Sequence, residues 1–433
     1  MTNLRCISTI AVLIPMICGC RTELRSNSCI RTNCWKESYL VFNRERPPQR
    51  VLTNGTRFLG YGSLFFSPSN NYNSGMIGCF PGSTTPALPP ERYFCSDVSN
   101  SPSAVSFSYD TQAGSITLIE IKQNKPPFAQ NRTRYRDKDS FDKFTEYYGH
   151  NIGLKANKSF FFFDGVVIAT GSGISCEDSD YDIVTTIFQN QLNDTTIDCF
   201  SCSEPNAMNL FPINFTCDEK TIMVDSRMTG YYIPEGNNLK LVRKKMTGSQ
   251  AVPDNSASFA RLVTRTEVAY IDHSDDPDED SYTYYIIPNT TLRNMIDFAE
   301  IQESSNPRFR IMVNNNSAHV VRYYRDGVTA YSVFRNVSGL PGEVYGVSNK
   351  AITFSRVTAK NSELSIRWQD KDALTITIRG RISLSEKPHG LIAVRQEKQS
   401  GGKYLTFIKL DSTKRKSILR YHRADPSAPY HKP

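Results

Sequence analysis

Beyond Cys217 the sequence contains no cysteine. All eleven cysteines of the 433-residue chain lie at or before that position, so its second half is stapled by neither disulfides nor thiolate-bound metal. Histidine is nearly as scarce: only His150, His273, His319, His389, His422 and His431 occur. None stands in a catalytic spacing, and His273, in AYIDHSDDP, reads as a loop-capping residue and not as a general base. No nucleophile elbow, phosphate-binding loop, dinucleotide fingerprint or HExxH zinc motif is present, which removes the corresponding hydrolase, nucleotide and zinc chemistries. Cys199-Phe-Ser-Cys202 has no second CxxC or His pair to complete a zinc site. The acidic run Asp275–Asp280 lacks the glycine and closing glutamate of an EF-hand loop and reads as solvated. No metal and no cofactor is expected. Long apolar runs are absent after the N-terminus, so no later membrane span is expected. There is no internal repeat and no low-complexity linker.

The N-terminus, MTNLRCISTIAVLIPMICGC, has one arginine, an apolar run and then small residues. That order suits a secretory signal over 1–20, cleaved near Gly19 or Cys20. A buried strand, an uncleaved anchor and a lipobox are the alternatives. Cleavage leaves Cys29, Cys34, Cys79, Cys95, Cys176, Cys199, Cys202 and Cys217, an even set that fits disulfides in an oxidising compartment. Asn-x-Ser/Thr sequons begin at Asn54, Asn131, Asn157, Asn193, Asn214, Asn289, Asn315 and Asn336, a density that points to a secreted, extracellular glycoprotein. The net charge is +8, with basic clusters at Arg243-Lys244-Lys245 and Lys414-Arg415-Lys416, the latter followed by Arg420, His422 and Arg423. On a secreted chain such patches suit an acidic polysaccharide better than a nucleic acid, although a solvated face and a basic tail explain either cluster alone.

From Trp35 onward short β-patterned segments alternate with Gly, Pro, Asn and Asp: Ile116–Ile121, Tyr282–Ile287, Ala351–Val357, Glu363–Gln369, Leu374–Gly380 and Tyr404–Leu410. In LTITIRG, Leu374, Ile376 and Ile378 fall on one face and Thr375, Thr377 and Arg379 on the other. The stretch KSFFFFDGVVIATGSGIS asks for more. Four consecutive phenylalanines in a strand put aromatic surface on both faces, and Asp164-Gly165 is a two-residue hairpin turn. We read strand Ser159–Phe163, that turn and strand Val166–Thr170, covered on both faces by stacked sheets. Asn157 stands at the mouth of this hairpin. Helix is scarce: Thr290–Glu300, with Leu292, Met295, Ile296 and Ala299 as a stripe behind an Asn-Thr-Thr cap, and a turn or two in Asp139–Tyr148. The fold class is all-β, an antiparallel super-sandwich of stacked sheets followed by a smaller C-terminal β-sandwich domain. The expected boundaries are 21–47 for an N-terminal segment, 48–306 for the central region and 307–433 for the C-terminal domain with its basic tail.

The hairpin, continued through DIVTTIFQ (Asp182–Gln189), resembles the "KSxFFFDDxIVALGSxIS" and "VETTxFQ" segments of the family 8 polysaccharide lyases, the chondroitin, hyaluronate and xanthan lyases. WKESYLVFNR (Trp35–Arg44), FPGSTTPALP (Phe80–Pro89), TGYYIP (Thr229–Pro234) and AYIDHSDDPDEDSYTYYIIPN (Ala269–Asn289) are similar to further family segments in the same order, closest to the chondroitin ABC lyases. The resemblance implies glycosaminoglycan as partner. It also implies a helical toroid, carrying the catalytic Asn, His and Tyr, ahead of the β region. Only a signal and fourteen further residues precede Trp35 here, so the expected activity is carbohydrate binding without independent catalysis. An active lyase completed by a separate helical domain, and a structural or envelope glycoprotein that keeps the sandwich as a scaffold, are the alternatives. Carried over by position, Arg44 aligns with an arginine beside the family's catalytic Tyr, Asp110 with a cleft glutamate and Gln112 with a substrate-facing polar residue. The shorter Asp110 departs from the family pattern by one methylene.

Overall fold

A computed structural model describes residues 39–42, 64–67, 81–87, 103–111, 114–122, 153–177, 181–192, 201–202, 211–225, 228–251, 259–358, 361–368, 372–413 and 415–423. Among these residues the chain is antiparallel β, with one α-helix, Leu292–Glu303, and one 3₁₀ turn, Ser400–Gly402. Four large sheets hold nearly all of the strands. The first five-stranded sheet runs in the order Ile213–Cys217, Leu239–Ala251, Phe259–Asp272, Ile183–Leu192, Thr84–Pro86. An eight-stranded sheet runs Ser103–Thr111, Gly114–Lys122, Lys155–Phe163, Val166–Ser175, Asp280–Ile287, Gly230–Ile233, Thr221–Val224, Ser201–Cys202. A seven-stranded sheet runs Phe309–Asn314, Ala318–Tyr323, Val328–Val333, Ala351–Val357, Ser362–Trp368, Lys416–Arg423, Ile382–Leu384. The last, five-stranded sheet runs Val337–Ser338, Val344–Val347, Leu374–Arg379, Tyr404–Leu410, Leu391–Lys398. Contacts divide the chain into two units, the second taking residues 107–118, 159–163 and everything from Glu300.

The phenylalanine run forms the expected hairpin, with longer arms. Lys155–Phe163 and Val166–Ser175 flank a turn whose central residues, Asp164 and Gly165, have φ of 42° and 79°. Positive φ at both positions matches the twist of the flanking strands, and Gly bears it without a Cβ penalty. Phe160 to Phe163 are at most 2% exposed. The longer first arm takes in Asn157, which is half-buried within a strand and not at the open mouth of a hairpin. Asn214, Asn289, Asn315 and Asn336 are exposed.

In the first unit, Phe188 and Tyr231 meet at 4.9 Å and pack the first five-stranded sheet against the eight-stranded one. The helix lays Phe298 edge-on against Tyr232 and Tyr285. Its first turn is capped at Thr291, whose Oγ1 accepts from the Asn294 amide at 3.3 Å. A Cβ at Gly230 would stand 2.3 Å from the Met295 sulfur, so the helix seats where that strand has no side chain. Gly171 plays the same part under the Tyr282 ring, directly opposite it in register.

In the second unit, both faces of the seven-stranded sheet are covered over its first strands. One face joins the last five-stranded sheet in a core of Val320, Tyr331, Trp368, Ile376, Ile408 and Tyr421 with their neighbours. On the other, Phe163 stacks on Phe309 and Tyr323 and meets Phe354 edge-on. Full burial of one such ring stabilises by about 1.5–3 kcal/mol, which is why the sequence tolerates aromatic residues on both faces of one strand. Leu374, Ile376 and Ile378 are fully buried, as their alternation requires.

The disulfide expectation is not met at the two cysteines whose side chains are described. Cys176 and Cys217 are thiols. The Cys176 Sγ donates to the Asp275 carbonyl at 3.2 Å and the Cys217 Sγ to the Glu219 carbonyl at 3.6 Å, so each is satisfied by a backbone carbonyl. Asp139–Tyr148 lies outside the described residues.

Candidate functional site

The sequence motifs converge on one buried chain of polar contacts in the first unit. Thr84, from FPGSTT, bonds Thr185 of DIVTTIFQ at 2.9 Å, and Thr185 Oγ1 bonds His273 Nε2 at 2.9 Å. The other ring nitrogen, Nδ1, donates to Asp280 Oδ2 at 2.6 Å. With the proton on Nδ1, Thr185 donates to the imidazole and accepts from Thr84, and every hydroxyl in the chain is used. Half-burial pushes the Asp280 carboxyl up, but the hydrogen bonds from His273 and the Ser281 amide outweigh it and bring it below its ordinary value. Lys158, the first residue of KSFFFF, donates to the Gly82 carbonyl, and burial pushes its ammonium down to about 7. His273 therefore ties the acidic loop to the sheet, as its sequence context suggested. Its side chain is fully buried, out of reach of a polysaccharide.

A second buried network lies in the same unit. Arg243 donates through Nε and Nη2 to Glu267 Oε2, both at 3.2 Å, and the pair faces itself directly across the ladder. Asn190 Nδ2 bridges Glu267 Oε1 at 3.2 Å and Asp225 Oδ2 at 3.1 Å, and Asp225 also accepts from the Thr229 amide and the Tyr231 hydroxyl. Burial and the Asp225 carboxylate raise the Tyr231 hydroxyl well above its ordinary value. This corrects the reading of Arg243 as part of a polyanion-binding cluster. Its side chain is only 3% exposed, while Lys244 and Lys245 do face solvent. The signal was present in the alternation: Leu239, Leu241 and Arg243 share one face of their strand, and that face is the core.

Of the three sequence-derived site residues, Arg44 and Gln112 lie outside the described residues. Asp110 sits in the strand Ser103–Thr111, at one edge of the eight-stranded sheet. The C-terminal basic cluster is partly neutralised. Arg420 pairs with Glu363 and Glu386 at 3.0 and 2.7 Å, Arg423 pairs with Glu343 at 2.6 Å, and Lys416 is exposed. Lys414 is outside the described residues.

The profile of the polysaccharide lyase family 8 super-sandwich domain matches residues 141–299. Residues 141–299 are a family 8 polysaccharide lyase super-sandwich domain. The family 8 domain thus holds Lys158, Thr185, His273 and Asp280, with all of the Arg243–Glu267 network. The chain is 25% identical over 305 residues to a chondroitin sulfate ABC exolyase of Bacteroides thetaiotaomicron, covering 61% of this chain and 27% of that protein. It is 29% identical over 178 residues to a xanthan lyase of Bacillus sp. (strain GL1), covering 39% of this chain and 18% of that protein. Among solved structures, a Paenibacillus xanthan lyase superposes with a TM-score of 0.58 at 17% identity, over 85% of this chain and 34% of that one. A Streptomyces coelicolor chondroitin AC lyase does so with a TM-score of 0.54 at 16% identity, over 84% of this chain and 44% of that one. The chain spans less than half the length of each of these relatives, and the structural matches show the fold alone.

Proposed function

We propose that this family 8 chain is a secreted, carbohydrate-facing β protein that binds glycosaminoglycan, of the chondroitin sulfate or hyaluronan class, and does not cleave it by itself. What carries the reading is the match of residues 141–299 to the super-sandwich domain, extended by alignment to a chondroitin sulfate ABC exolyase. Elimination next to a uronate needs a base at the C5 proton, an acid at the departing oxygen and neutralisation of the carboxylate. Among the described residues, His389 and His422 are exposed, but neither lies in the matched domain. His273 and His319 have no exposed ring, and burial raises the hydroxyls of Tyr282 and Tyr284. Arg44, Asp110 and Gln112 are proposed to contact sugar, and the exposed Lys244, Lys245 and Lys416 to add salt-sensitive attraction.

Incubated alone with chondroitin sulfate or hyaluronan, the purified chain is expected to give no rise in unsaturated-uronide absorbance. A rise that disappears in Arg44→Ala would overturn this and put catalysis in the β region. A second reading, in which a separate helical lyase domain completes an active site, is supported by the small fraction of its relatives' length that the chain spans.

A further inference from the structure

The last five-stranded sheet turns one face to its core and the other to solvent. Ile376, Ile378, Ile408 and Leu410 fill the core side. Across the solvent side run three rows of register partners: Thr375, Lys409 and Ala393; Thr377, Phe407 and Arg395; Arg379, Leu405 and Glu397. Successive rows are two residues apart along each strand, or about 7 Å. Each row contributes one cation, so Lys409, Arg395 and Arg379 descend the face as a ladder of positive charge between half-exposed apolar surfaces.

Two aromatic rings fix the guanidinium groups in place. Arg379 lies over Tyr345 with its Cζ 4.7 Å from the ring centroid, and Arg395 lies over Phe407 at 4.9 Å. Arg379 is pinned further by Nε to the Gly342 carbonyl at 3.0 Å and Nη2 to the Leu340 carbonyl at 2.5 Å. A stacked, hydrogen-bonded guanidinium has already given up rotamer freedom, so less entropy is lost when an anion docks on its free edge. The one carboxylate in the three rows, Glu397, sits 3.0 Å from Arg395, whose side chain keeps 68% of its surface in water. An exposed pair of that kind is weak and yields readily to a competing anion.

We propose that this face is a glycan-binding site for a sulfated or carboxylated polysaccharide laid across the strands. Its anionic groups meet Lys409, Arg395 and Arg379, and its apolar ring faces meet Leu405 and the edge of Phe407. The ligand class rests on the proposed function, but the site is distinct from the one inferred at Asp110, which lies in the eight-stranded sheet.

The test titrates the full chain with a chondroitin sulfate hexasaccharide, with neutral maltohexaose as the control ligand. Arg395→Ala with Lys409→Ala is expected to weaken hexasaccharide binding about tenfold, the loss of at least one charge-assisted contact. Phe407→Ala, which leaves the charge unchanged, is expected to weaken it severalfold by releasing Arg395, and maltohexaose is expected not to bind. Arg310→Ala with Lys387→Ala removes the same charge from exposed positions elsewhere in the second unit and is expected to have an effect under about twofold. Equal loss in both double variants means diffuse attraction and overturns the site. Unchanged binding in the face variants overturns the site and leaves the proposed function standing. No binding by the unaltered chain removes both.

Discussion

Replacing Glu267 with alanine is expected to cost about 3–5 kcal/mol, the penalty for stranding one half of a buried ion pair. Arg243 is left with its charge in the core, 3% exposed, its two 3.2 Å hydrogen bonds gone, and Asn190 loses one of its two acceptors. The cost arises from the uncompensated charge and not from the worth of the pair. Glu267→Leu combined with Arg243→Met is therefore expected to recover most of it, because apolar residues of similar volume replace buried pairs with little loss. Urea unfolding of the two variants and the unaltered chain measures the difference. A single variant within about 1 kcal/mol of the unaltered chain would mean that water reaches Arg243 and that the network is not buried.

Acidification is expected to destabilise the second unit through His319. Burial lowers its pKa from 6.5 to about 3, with Nδ1 on the Ser159 hydroxyl at 2.8 Å and the ring edge-on to Phe334 at 4.8 Å. Below the ordinary histidine value the unfolded chain takes up a proton that the folded chain refuses. Stability is thus complete above about pH 6.5 and falls by up to about 1.4 kcal/mol per pH unit as the pH drops toward 3. Between about pH 6.5 and about pH 4.5 the loss is about 2 kcal/mol. His319→Gln keeps a hydrogen-bonding group at the site and removes the titration, so its urea midpoint should move less over the same range. Parallel pH profiles for the two proteins would show that His319 titrates normally and is not buried neutral.

Local pattern made much of the fold legible. Asp164-Gly165 between apolar runs announced a hairpin because only that turn chemistry accepts two positive φ values, and the alternation of LTITIRG announced which residues would be fully buried. The helix cap was read at its place, while the helix continued to Glu303, three residues past the expected end, where the Gln302 side chain donates to the Phe309 carbonyl at 3.0 Å and accepts from the Phe309 amide at 2.9 Å, a contact that propensity does not encode. What escaped was register. Glu267 follows Arg243 by 24 residues, and only the strand pairing that sets them opposite turns a surface-looking basic triplet into a core ion pair. Lys158 escaped for the same reason: the carbonyl that accepts its hydrogen bond, at Gly82, lies 76 residues away. Within the candidate site, Asp110 was placed on a sheet edge, and Arg44 and Gln112 fall outside the described residues.

Titration calorimetry of the full chain with a size-defined chondroitin sulfate oligosaccharide reads binding and turnover in a single trace. The account predicts a saturable heat that weakens as salt is raised, followed by a return to a flat baseline, since charge-led contacts are screened over about 10 Å at 0.1 M salt. No saturable heat at low salt, or a sustained heat that continues until the oligosaccharide is consumed, would contradict it.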